Sequence, residues 1–211
     1  MSLHLGKIHY WLFNKIIWFE KLECEIIDLA KLEGLNIEDI SKEINKKYGE
    51  QLPDLPLEEM IDTGNIHGWL QDKIHCAEGR MAAWTNKIIT TKDGFSKLEK
   101  VYIKQGVNAG KEITEAGNIP VTAVEIYNNI NDYILDGMPC DRVNQIVKSE
   151  EQIVEWTRRI CVHKEIWEKE NVDVNTFYTL RSLWIKSFIQ EVNNEFCYIE
   201  KEDGLKVIEK K

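Results

Sequence analysis

Two stretches of this chain repeat a pattern of chemically capable side chains. Ile8-His9-Tyr10-Trp11-Leu12 is echoed 58 positions later by Ile66-His67-Gly68-Trp69-Leu70, and at the same offset Glu20 matches Glu78. Each copy carries a His and a Glu 11 positions apart. Eleven residues at about 100° each end roughly 20° past three full turns, so on a helix the two side chains share a face. Imidazoles and carboxylates on facing helices are the donor set of a bundle-type metal site. If the two helices run antiparallel, His9 approaches Glu78 and His67 approaches Glu20. His75, three residues before Glu78, adds an imidazole near the same stripe. The candidate ligands of a divalent metal are therefore His9, Glu20, His67, His75 and Glu78. The Glu-x-x-His pair of carboxylate-bridged di-iron bundles is missing, and hydrogen-bonded polar pairs on two similar core helices explain the same residues.

A second polar concentration is Arg158-Arg159-Ile160-Cys161-Val162-His163-Lys164. Read as helix, Trp156 and His163 lie seven apart on the buried stripe, and Arg159, four before His163, shares its face. A His facing a core is usually a satisfied structural residue. The catalytic reading gives His67 and His163 acid/base roles and gives Arg159 the task of holding an anionic substrate group, with Glu20 and Glu78 as carboxylates. Seven tryptophans punctuate the chain. Core packing is their first explanation, and Trp11, Trp69 and Trp167 are the candidates to line a pocket for a planar or apolar ligand. Covalent haem is unsupported because there is no CxxCH.

These groups need elements to position them, and the periodicity is mostly helical. Ile8, Trp11, Leu12, Ile16, Phe19, Leu22, Ile26 and Leu29 predict a helix from Lys7 to about Glu33. Asn36 caps a shorter one through Ile44, and Gln51 to Pro56 reads as a loop. The second copy sits in a helix from Leu57 to Ile89, with a break near Thr63-Gly64. Further helices are expected at Phe95 to Glu115, Pro120 to Leu135, Asp141 to Glu170, and Val174 to Val192 with Asp173 as cap. Phe196 to Lys201 and Leu205 to Ile208 flank Glu202-Asp203-Gly204, a hairpin signal.

Composition sets wider bounds. The 211 residues suffice for one sizeable core, and 43% hydrophobic content with 30% charge is ordinary for a globular chain. A formal charge of −9 argues against a nucleic-acid partner, because phosphate contacts need a basic surface. No apolar run of about 18 residues marks a membrane span, and the N-terminal residues lack the pattern of a signal peptide, so a cytoplasmic location is expected. Five cysteines with no CxxC read as reduced thiols rather than a disulfide or zinc framework. The motifs GxGxxG, GxSxG, HExxH and the Walker loop are absent, which leaves dinucleotide, triphosphate, serine-hydrolase and zincin chemistries without support.

The sequence thus predicts an all-α multi-helix bundle of six or seven helices over residues 1–195, with a small C-terminal β-hairpin over 196–211. Its expected function is binding of a small molecule or metal in an inter-helix pocket lined by His, Glu and Trp, with catalysis there as an extension. The competing expectation is a non-enzymatic interaction or scaffold protein, a homodimer whose His and Trp residues serve the core.

Overall fold

The computed structural model describes residues 5–211. Helix α1 (Lys7–Leu32) is followed by α2 (Ile37–Tyr48), a single turn α3 (Leu57–Met60), α4 (Ile66–Ile89), α5 (Gly94–Glu115) and α6 (Ala123–Tyr133). Strands β1 (Asn144–Glu150) and β2 (Ile153–Arg158), the short α7 (Lys164–Lys169), α8 (Val174–Val192), β3 (Phe196–Glu200) and β4 (Lys206–Lys210) complete the order.

Local chemistry explains most boundaries. Asn36, Asn65, Thr122 and Asp173 each cap a helix with a side-chain oxygen that accepts a first-turn amide hydrogen. At Thr122 the cap is reciprocal, because Glu125 reaches back to the Thr122 amide. Asn65 ends the break between α3 and α4, so the second echo phrase opens its own helix instead of lying within one that starts at Leu57.

The echo helices α1 and α4 run parallel. His9 meets His67 at their first turns, with the two Nε2 atoms 3.4 Å apart, and Glu23 meets Arg80 nearly four turns farther along both. This corrects the antiparallel pairing on which the His-to-Glu approach depended. Helix α1 runs antiparallel to α5, where Glu25 pairs with Lys104 and Glu33 with Lys97. Helices α5 and α8 run parallel and very close. A Cβ on Gly106 would stand 2.5 Å from the Trp184 carbonyl oxygen, and one on Gly110 2.7 Å from Glu191 Cβ. Only glycine permits that approach.

The all-α expectation needs correction. The tail hairpin exists, but β4 also pairs with β2, giving a four-stranded antiparallel sheet in the order β1-β2-β4-β3. The helix expected from Asp141 to Glu170 is instead the hairpin β1–β2, an extended segment and α7. Its apolar positions fit a helical period by coincidence. The residues that decide are Val154 and Trp156, buried at alternate positions of β2, and the two-residue connection Glu151-Gln152. Trp156 packs edge-on against Tyr127 of α6 at 5.0 Å, and a single hydrophobic cluster runs from Leu12 through Ile208, joining helices and sheet. Among the described residues no helix is long and apolar enough to cross a membrane.

Candidate functional site

His163 is fully buried at the start of α7, between two carboxylates. Its Nδ1 lies 2.9 Å from Glu78 Oε1 of α4, and its Nε2 lies 2.9 Å from Asp136 Oδ1 in the turn after α6. Carboxylates accept, so both ring nitrogens donate and the ring is an imidazolium. Burial opposes that charge, but Glu78 and Asp136 outweigh it and raise the pKa to about 9.

Asp136 is the hub. Its Oδ1 also accepts from Arg181 Nη1 at 2.9 Å, while Oδ2 accepts from Arg181 Nη2 at 3.0 Å and from Asn144 Nδ2 at 2.7 Å. Burial alone would raise its pKa. The Arg181 guanidinium and His163 hold it well below the usual range. Gly137, at φ 71°, turns the chain so that Asp136 points inward, and Asp141 Oδ2 then caps the Met138 amide. The buried chain Glu78–His163–Asp136–Arg181 thereby ties α4, the turn after α6, α7 and α8 together. Its formal charges cancel, but Glu78 Oε2 is buried without a hydrogen-bond partner. Such an atom lacks the interactions that compensate its lost hydration.

Of the hollows that border this chain, two are lined by its charged residues together with other polar side chains. On one side an open groove of about 660 Å³ runs between α4 and the α7 segment, with Glu78, His75, Cys76, Cys161, Glu165 and Lys169 among its walls. Cys161 Sγ lies 3.0 Å from the Tyr178 hydroxyl. Partial burial pushes its pKa up, yet the Tyr178 hydroxyl and the amides of His163 and Lys164 bring it below the usual thiol value. On the other side a more enclosed pocket lies between α6, α8 and the sheet, with Arg158, Tyr178, Arg181, Ser182, Tyr198 and Lys206 among its walls. A third cavity of about 40 Å³, walled by Trp18, Phe19, Tyr102, Tyr133, Phe177 and Trp184, is an apolar packing gap in the core.

The expected site residues are distributed over several places. His9 and His67 meet each other, and His9 Nδ1 accepts the Gly6 amide hydrogen at 3.0 Å. Glu20 joins Glu23 in pairing with the buried Arg80, whose Nε stands 3.1 Å from both Glu23 oxygens and whose Nη2 reaches Glu20. Arg80 also donates to the Glu50 carbonyl at 3.2 Å, and Glu20 accepts the Leu52 amide, which pins the loop after α2. His75 bonds Gln71 at 2.7 Å on the surface of α4. Among the described residues no three His, Cys, Asp or Glu side chains converge as a metal site. Trp11 donates to Asp132 at 2.8 Å, Trp69 is half-buried beneath Lys73, and Trp167 stacks on Phe177 in the core.

Of the acid/base candidates, only His163 lies in the buried chain, paired with Glu78. Arg159 is exposed. Because residues 153–158 form a strand, successive side chains alternate faces, and Arg158 is the one that joins Trp156 on the inner side. Sequence reasoning missed Asp136, Arg181 and Tyr178. Asp136-Gly137 directly follows the helix expected to end at Leu135, but nothing local marks an aspartate there as a buried hub. Comparisons with protein-family models, with curated proteins and with solved structures gave no match.

Proposed function

We propose that the protein binds a small molecule bearing an ammonium or N–H donor in the groove between α4 and the α7 segment, anchored on Glu78. One observation carries this reading: a buried carboxylate oxygen, Glu78 Oε2, without a partner, on a side chain that lines a ligand-sized groove. Leaving such an oxygen unsatisfied costs about 1 to 3 kcal/mol, and a ligand donor inserted beside it recovers much of that. Glu165 and Asp141 on the same walls outnumber the one cation there, Lys169, and favour a cationic ligand. His163 acts here by fixing Glu78. With both nitrogens donating to carboxylates it has no lone pair to serve as a general base, so the reading is of a binding site, with the Cys161 thiol, its pKa below the usual value, on the wall.

The test is thermal unfolding of the full chain with a panel of small amines, each set against its alcohol analogue. An amine that raises Tm saturably in the wild type and fails to do so in Glu78→Gln supports the site. The absence of any amine-specific shift, or a shift that survives Glu78→Gln, removes the reading. Glu165→Gln, at an exposed position on the wall, gives a folded variant whose response should be weakened.

The alternative of a self-associating interaction protein draws on a different observation. Edge strand β1 exposes Ile146 and Val147 at 43% and 57%. Light scattering over a concentration range decides it, since a chain that stays monomeric rules out the homodimer.

A further inference from the structure

We propose that the pocket between α6, α8 and the sheet is a binding site for a compact tetrahedral oxyanion, a phosphate or sulfate group, held by Arg158, Arg181, Lys206 and the Tyr198 hydroxyl. This is a separate site from the groove and does not rest on the reading given for it.

The register of the sheet builds the cationic wall. Trp156 of β2 stands opposite Lys206 of β4, which stands opposite Glu200 of β3, and Tyr198 lies two residues before Glu200 on the same face. Arg158, two residues beyond Trp156, extends that face at the end of β2. From the other side α8 presents Tyr178, Arg181, Ser182 and Ile185, at the spacing of a single helical face. Three cations therefore face Glu200 and the Asp136 carboxylate, with one positive charge in excess.

The donors are also incompletely used. Among the described residues the Arg158 guanidinium has no hydrogen-bond or ion-pair partner, and it lies 3.3 Å above the Tyr178 ring, which orients its fork. Tyr198 is 6% exposed, and its hydroxyl is buried without a hydrogen-bond partner. Lys206 is 8% exposed, pairs with Glu200 at 3.3 Å and donates to the Gly204 carbonyl at 3.2 Å, which leaves one ammonium hydrogen for a ligand; burial, with a smaller push from Arg158, lowers its pKa against the pull of Glu200. The enclosed back of the hollow is about 20 Å³, room for about one water, so the anion sits at the open mouth with one oxygen reaching inward and any larger body extending into solvent. Donors arriving from a strand end, a neighbouring strand and a helix match the several oxygens of a tetrahedral anion better than the two of a carboxylate.

The experiment is calorimetric titration of the full chain with inorganic phosphate at constant ionic strength, repeated with sulfate and acetate. The expected result is saturable binding of phosphate and sulfate and weaker binding of acetate. Arg158→Ala should weaken phosphate binding about tenfold or more, and Tyr198→Phe by a few-fold. Arg159→Ala removes the same charge one residue away on the opposite face and should leave the affinity unchanged. Unfolding curves of each variant separate loss of the site from loss of the fold. The proposal is overturned if the wild type shows no saturable binding, if acetate binds as tightly as phosphate, or if Arg158→Ala and Arg159→Ala weaken binding equally.

Discussion

The proton on His163 is a property of the fold. In an unfolded chain its pKa is near 6.5, and in the folded protein it is about 9. Across that interval the native state holds a proton that the unfolded state has released. The stabilisation is complete below about pH 6.5 and is lost as pH rises through 9. Lys15 works in the opposite sense. It is 4% exposed, and burial lowers its pKa from 10.5 to about 8, so stability regained by its deprotonation grows above pH 8. The clean window is therefore pH 6.5 to 8, where urea unfolding should show a loss of about 1 to 2 kcal/mol. His163→Gln should abolish that slope and cost about 3 to 5 kcal/mol at pH 6.5, because Glu78 is left buried without its cation while Asp136 keeps only the Arg181 cation. A flat profile in the wild type would refute the buried imidazolium. Cys161 offers a second residue-scale check. At pH 7.5 iodoacetamide should label it faster than Cys24 or Cys76, whose pKa values burial raises, and Tyr178→Phe should slow the labelling. Peptide mass spectrometry reads all the sites at once, and equal rates at Cys161 and Cys24 would show that the thiol is not polarised.

At the scale of elements, the most constrained contact is that between α5 and α8. Ala at position 106 would gain about 1 kcal/mol in helix propensity. Its Cβ, however, would stand 2.5 Å from the Trp184 carbonyl oxygen, and a backbone atom inside a packed helix cannot step aside. Gly106→Ala should destabilise the protein by a net 1 to 3 kcal/mol in chemical denaturation, by forcing the helices apart. It should also disturb the Trp184 Nε1 to Gln105 hydrogen bond, 2.9 Å long, that crosses the same interface. Stabilisation by this substitution would mean that the two helices are farther apart than described. Between α1 and α4 the joint is ionic. Arg80 with Glu20 and Glu23 joins the two parallel helices through buried ion pairs.

For the whole molecule, the sequence suggested a helical body over 1–195 and an appended hairpin over 196–211. Strand β4 is bonded to β2 along Ile153 to Trp156, and Ile208 is fully buried within the cluster that contains the helical core. Helix and tail should therefore unfold together. Far-ultraviolet dichroism and tryptophan fluorescence in urea are expected to give coincident transitions, with Ile208→Ala shifting both by about 2 to 4 kcal/mol. An early fluorescence step from Trp156, whose ring lies 5.9 Å from that of Tyr198 in β3, with intact helical dichroism would instead show that the tail is a separate unit.

Several elements were determined by residues close together in sequence. The stripe from Ile8 to Leu29, the caps at Asn36 and Asp173, and the turn at Asp203-Gly204 rest on local periodicity and side-chain-to-backbone bonds, which no distant partner needs to supply. The echo of His9 and His67 marked two similar helices. Their parallel direction, which sends Glu20 to Arg80 and Glu78 to His163, depends on chain connections that a local pattern does not encode. Residues 143–160 have apolar positions compatible with helix or strand, and pairing of β2 with a strand fifty residues farther along made them a sheet. That choice placed Arg158 inside and Arg159 outside. The buried chain on Asp136 likewise exists only in three dimensions, because four elements far apart in sequence must close around one carboxylate before any of their charges can be taken out of water.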